Sequence, residues 1–100
     1  MNHHTTLSGS DREFVRGLVA DAITDRSGHM VPLAQRPARL LALLVMHSSE
    51  DRTIYSIAAF LAETELRADV RKLLRPAIDR LPEMQRYRLE YVLRMLEEAR

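Results

Sequence analysis

The sequence contains no cysteine and no tryptophan, a single lysine, three glycines and four prolines. Without cysteine there is neither a disulfide framework nor a thiolate metal site. Long apolar runs are missing too. The longest, Leu40 to Met46, is seven residues, against the roughly 20 that a membrane-spanning helix requires. The first ten residues, MNHHTTLSGS, show neither the basic start nor the apolar stretch of a secretory signal, so a soluble cytoplasmic protein is expected. An excess of one charge is also lacking. Residues 1–50 hold five basic and five acidic side chains, and residues 51–100 hold ten and nine. Phosphate neutralisation drives most nucleic-acid affinity, so this balance lacks the overall signature of a dedicated nucleic-acid binder.

The chain instead has 46% hydrophobic residues within its 100, too many for intrinsic disorder. A chain of this length buries roughly 60–70% of its unfolded surface, enough for one modest core. Fourteen of the fifteen basic residues are arginine, Lys72 being the exception. Arginine suits bidentate pairs and interfaces better than lysine does, although codon bias in a GC-rich genome would produce the same excess.

Residues 1–9 are polar and aperiodic and are expected to form a flexible tail, leaving 10–100 as one helical domain. Ser10-Asp11-Arg12-Glu13 matches a capping box, in which serine and glutamate satisfy the first free amides of a helix. Phe14, Val15, Leu18, Val19, Ala22 and Ile23 follow at helical spacing, with Gly28 as a left-handed stop, which predicts a first helix over 11–26. Pro37 suits an early helical position. Residues 38–46, apolar apart from Arg39, predict a helix surrounded by the others. Asp51 or Thr53 can cap a third helix ending near Ala62, and Thr64 a fourth. The fourth carries a stripe from Leu66 to Leu81, which Pro76 should kink or split. Pro82 opens a last helix reaching about Ala99. No two-residue alternation of useful length occurs. The fold class expected is all-α, a compact bundle of about five helices.

That last helix has more apolar circumference than a monomer needs. At about 100° per residue, Met84, Tyr87, Tyr91 and Met95 fall on one side, while Leu89, Val92, Leu93, Leu96 and Ala99 fan round the other. The arc is very roughly 240°, whereas a surface helix uses a little over 100°. One face is therefore expected to pack on its own domain and the other on a second protein, a homodimer being the least demanding solution. Tyrosine and methionine suit such surfaces. Arg88 and Arg94 flank the stripe and are expected to close its rim.

Catalytic patterns are thin. The chain has no Gly-rich phosphate loop, no Gly-x-Ser-x-Gly elbow and no His-Glu-x-x-His. No two of His3, His4, His29 and His47 stand four residues apart, so no helix face pairs two imidazole ligands. No enzyme, cofactor or metal is expected. The main rival to protein binding is DNA binding. Residues 57–62 followed by 66–71 resemble a helix-turn-helix, and its second helix would present Arg67, Arg71 and Arg75 at four-residue spacing. Alanine and glutamate stand at 62 and 63, where that motif usually turns on glycine. On the bland alternative these arginines form weak pairs, Glu63 with Arg67 and Asp79 with Arg75. Residues 78–86 are similar to the Leu-Pro-x-x-Gln-Arg opening of the promoter-reading domain of bacterial sigma factors, a nine-residue stretch too short to assign a family. By analogy of architecture alone, the chain is expected to be a small bacterial regulator, such as an anti-activator or anti-sigma factor, acting through protein–protein contacts.

Overall fold

The computed structural model describes residues 9–98. Residues 1–8 of the expected 1–9 tail, with His3 and His4, and residues 99–100 lie outside the described residues, while Gly9 is helical. Within them, five α-helices are connected by short loops: α1 Gly9–Ala22, α2 Arg36–Met46, α3 Asp51–Ala62, α4 Arg67–Ile78 and α5 Glu83–Glu98. A single 3-10 turn, Leu33–Gln35, leads into α2. No strand forms among these residues, only an isolated antiparallel bridge between Thr24 and Met30. The globule is compact and all-α, as expected from the periodicity.

The largest shift from expectation is at the end of α1. The helix starts at Gly9, with Ser10 already inside it, and stops at Ala22 instead of near residue 26. The reason is local competition for backbone groups. The Thr24 hydroxyl donates to the Ala20 carbonyl at 2.6 Å. The Asp25 carboxylate accepts from the Ser27 amide at 2.9 Å, the Ser27 hydroxyl at 2.7 Å and the His29 amide at 3.0 Å. Short polar side chains that satisfy nearby amides offer the chain an alternative to helix. The turn then closes through Asp25 N–H to His29 O at 2.8 Å and Val31 N–H to Ile23 O at 2.8 Å, with Gly28 at φ +87°. Those bonds to the charged form, from Ser27 first and then His29, hold the Asp25 carboxyl below its ordinary range.

Two other caps differ from expectation. Glu50, not Asp51 or Thr53, occupies the N-cap position of α3, and it makes no side-chain cap bond. The Thr64 hydroxyl donates to the Leu61 carbonyl at 2.8 Å, closing α3 instead of opening α4, whose N-cap position is Leu66. Helix α4 runs unbroken from Arg67 to Ile78 with Pro76 inside it, so the expected split does not occur.

Every helix contributes to one core, which includes Val15 and Val19 of α1, Leu40 and Leu44 of α2, Ile54 and Ile57 of α3, Val70 and Leu74 of α4, and Leu89, Val92 and Leu96 of α5. The central helix is α3, not the α2 segment that the sequence places inside. Helix α3 packs on both α1 and α5 and touches α2, and it buries Ile54, Ile57, Ala58, Ala59 and Leu61. The alanines let neighbouring helices approach closely. On α2, by contrast, Ala38, Arg39, Ala42 and Met46 face outward. Alanine and methionine make a helix read as apolar all round, yet exposing one side of them costs little.

Two ion pairs pin the first turn of α1 to opposite ends of α3. Arg12 grips the Glu63 carboxylate with both terminal nitrogens at 2.9 and 3.3 Å, and Arg52 reaches Asp11 at 3.3 Å. Glu63 is thus taken by Arg12 and not by Arg67, and Arg75 pairs with Glu97 and not with Asp79. Both replacements are long-range in sequence, so local spacing could not reveal them.

If α3 is the centre, Ile57→Ala should lower stability by about 2–5 kcal/mol, whereas Met46→Ala, at a side chain 69% exposed, should cost under about 0.5 kcal/mol. Urea unfolding of the two variants decides it, and the reverse order would return α2 to the middle.

Candidate functional site

Helix α5 has two faces with different fates. Leu89, Val92 and Leu96 are buried against the core, and Leu93 and Met95 are half-buried at its edge. Met84 and Tyr87 stand out into solvent, 65% and 70% exposed. Tyr91 is half-buried between these extremes. The division of the apolar arc therefore follows the sequence pattern, with Met95 lying closer to the core than expected.

The floor beside Tyr87 is supplied by another helix. Tyr55 of α3 meets Tyr91 edge-to-face, with ring centroids 5.1 Å apart and planes at 83°. Such pairs contribute about 0.5–1.5 kcal/mol beyond area burial. The Arg94 guanidinium sits 5.7 Å from the centre of the Tyr91 ring, in cation–π range. Tyr55, Tyr87, Tyr91 and Arg94 together line an open hollow of about 400 Å³. A second hollow of about 380 Å³ lies on the other side of Tyr87, lined by Glu83, Met84 and Tyr87. Tyr87 is a projecting ring between two depressions.

Arg88 does not join Arg94 on the rim. Its side chain is only 16% exposed. It donates through Nε to the Asp51 carboxylate and through Nη1 to the Ser48 carbonyl at 3.2 Å. One turn earlier, Gln85 Nε2 donates to the Ser48 hydroxyl at 2.7 Å, and that hydroxyl donates to the Val45 carbonyl at 2.6 Å. Ser48 is fully buried. This cluster clasps the α2–α3 loop onto the first half of α5, so Arg88 positions the helix that carries the exposed ring. Because the pairs 51 with 88 and 55 with 91 ascend together, α3 and α5 run side by side in the same direction.

The alternative nucleic-acid residues are dispersed in their environments. Arg67 and Arg71 are half-buried, and Arg75 is tied to Glu97. Helices α3 and α4 share no packing face comparable to those each makes with α5, unlike the crossed pair of a helix-turn-helix. Among the described residues, no three metal-ligating side chains gather, and no helix is long and apolar enough to cross a membrane. His47 faces Glu50 at 3.2 Å, while His29 lies in the Asp25 turn.

Two features escaped the sequence reading. Tyr55 lies off the Ile54–Ile57–Leu61 stripe, and that displacement is the signal that could have assigned it to a neighbouring helix. Another apolar groove of about 260 Å³ runs between α1 and α2, lined by Leu18, Asp21, Ala22, Leu43, Met46 and His47. Its only sequence signal is the all-round apolarity of α2. No known protein family, characterised protein or solved structure matches the chain.

Burial first, and then the Asp51 carboxylate, push the Tyr55 phenol above its ordinary value, with Arg88 pulling it back. A raised folded pKa contributes stability that is whole below the ordinary tyrosine range and is lost as pH rises through and beyond it. Tyr55→Phe keeps the ring and removes the titration. Between about pH 8 and pH 11 its urea midpoint should fall less than that of the wild type; equal losses would assign the alkaline transition to another group.

Proposed function

We propose that this chain is a small non-catalytic regulatory protein that acts by protein–protein binding. On this reading it is a helical homodimer in the bacterial cytoplasm that covers a hydrophobic surface of a partner, in the manner of an anti-activator or anti-sigma factor. The outer face of α5 is the docking surface, for which a second copy and the partner compete. The observation that carries the reading is the exposure of Met84 and Tyr87 beside two open hollows, on a helix whose other face is fully buried. An exposed apolar patch of large side chains, bordered by charge, marks interaction sites on proteins of this size. Tyr91, Arg94 and the edge of Met95 extend that surface along the helix, and Arg88 holds it in place from behind.

DNA binding through Arg67, Arg71 and Arg75 is less well supported, because only part of that basic edge is free and the two helices lack the mutual packing that would present it. The protein-binding reading expects no measurable duplex affinity at low ionic strength. Affinity that falls steeply with salt and disappears in the Arg67→Ala, Arg71→Ala double variant would replace it.

Tyr87→Asp places a charge at the centre of the face without disturbing the core. The wild type should sediment as a dimer and the variant as a monomer, with unchanged helical circular dichroism. Collapse of the helical signal in the variant would return Tyr87 to a structural role. A wild type that stays monomeric at every accessible concentration would end the dimeric reading.

A further inference from the structure

We infer that the occupant of the α5 face is a second copy of this chain, docked antiparallel, with Tyr87 of each copy seated in the Tyr55–Tyr91–Arg94 hollow of the other and Glu83 of each paired with Arg94 of the other. The inference rests on the docking role proposed for α5 and adds its register. The first support is the distribution of charge. Glu83 and Arg94 are eleven residues apart, about three turns or 16 Å along the helix, and so share one edge. Glu83 borders the hollow on one side of Tyr87, and Arg94 borders the hollow on the other. Both side chains are exposed, and neither makes a salt bridge among the described residues, whereas Asp51, Glu63, Arg75 and Glu97 all do.

An acid at one end of an edge and a base at the other is self-complementary only when the second helix runs the opposite way. A parallel copy would set Glu83 against Glu83 and Arg94 against Arg94. A two-fold axis passing between residues 88 and 89 sets Glu83 level with Arg94 of the second copy, twice over, as a closed isologous interface requires. The same axis brings Tyr87 level with residues 90 and 91 of the second copy, beside the hollow that Tyr91 lines. One register thus seats Tyr87 beside the hollow and sets Glu83 against Arg94.

Charge reversal tests the register. Glu83→Arg and Arg94→Glu should each raise the dimer Kd about tenfold at low salt, since two pairs are lost and two repulsions gained per dimer. The double reversal should restore self-association. An equimolar mixture of the two single variants should form a heterodimer, because both pairs across that interface are attractive again. Sedimentation equilibrium measures all four. Single reversals that leave the Kd unchanged, in a dimer that Tyr87→Asp still breaks, would overturn the antiparallel register while leaving the α5 face as the docking surface. A wild-type chain without any self-association would remove the register together with the dimer.

Discussion

Helix α5 must bridge α3 and α4, which share little direct packing of their own, and that requirement sets its rotation about its own axis. Leu89, Val92 and Leu96 supply the contact. Burying each such side chain is worth about 1.5–3 kcal/mol, so rotating them outward would cost more than any surface interaction could return. Once they point inward, the 3.6-residue period leaves Met84 and Tyr87 outside. The exposed ring is a geometric consequence of core packing on a helix that has apolar residues to spare. A polar residue at 84 or 87 would fold as well.

The face is also held rigidly. Arg88 and Gln85 tie the front half of α5 to the α2–α3 loop through Ser48 and Asp51, and Tyr91 leans on Tyr55 from below. A surface whose side chains are already ordered loses less conformational entropy on association. The two tyrosines that line the hollow with Tyr87 are thus set before any second molecule arrives. Arginine is well suited to the clasp, since its planar fork meets a carboxylate and a carbonyl at once.

Much of this was legible along the chain. The apolar spacing located all five helices because each buries its face on the core at a 3.6-residue period. The same period divided α5 into an inner and an outer side. Element ends were less legible. Helix α1 stops where Thr24 and Asp25 capture backbone groups, and Thr64 closes α3 instead of opening α4; a short polar residue signals a boundary without saying on which side it acts. Arg88 shows the same limit at the site. Its helical position places it beside the stripe, but its side chain follows Asp51 and Ser48, which are thirty-seven and forty residues away in the chain.

From the sequence alone come the all-helical class, the surplus apolar surface of the last helix and the residues that form it, because periodicity is a property of neighbours in the chain. The tertiary structure alone decided that α3 is the centre, that Tyr55 floors the hollow beside Tyr87, and that Glu63 and Arg75 have distant partners. Those outcomes depend on which helices meet. Alanine, arginine and tyrosine accept either a buried or an exposed setting at small cost, so their local pattern is silent on the choice until the neighbouring helix is in place.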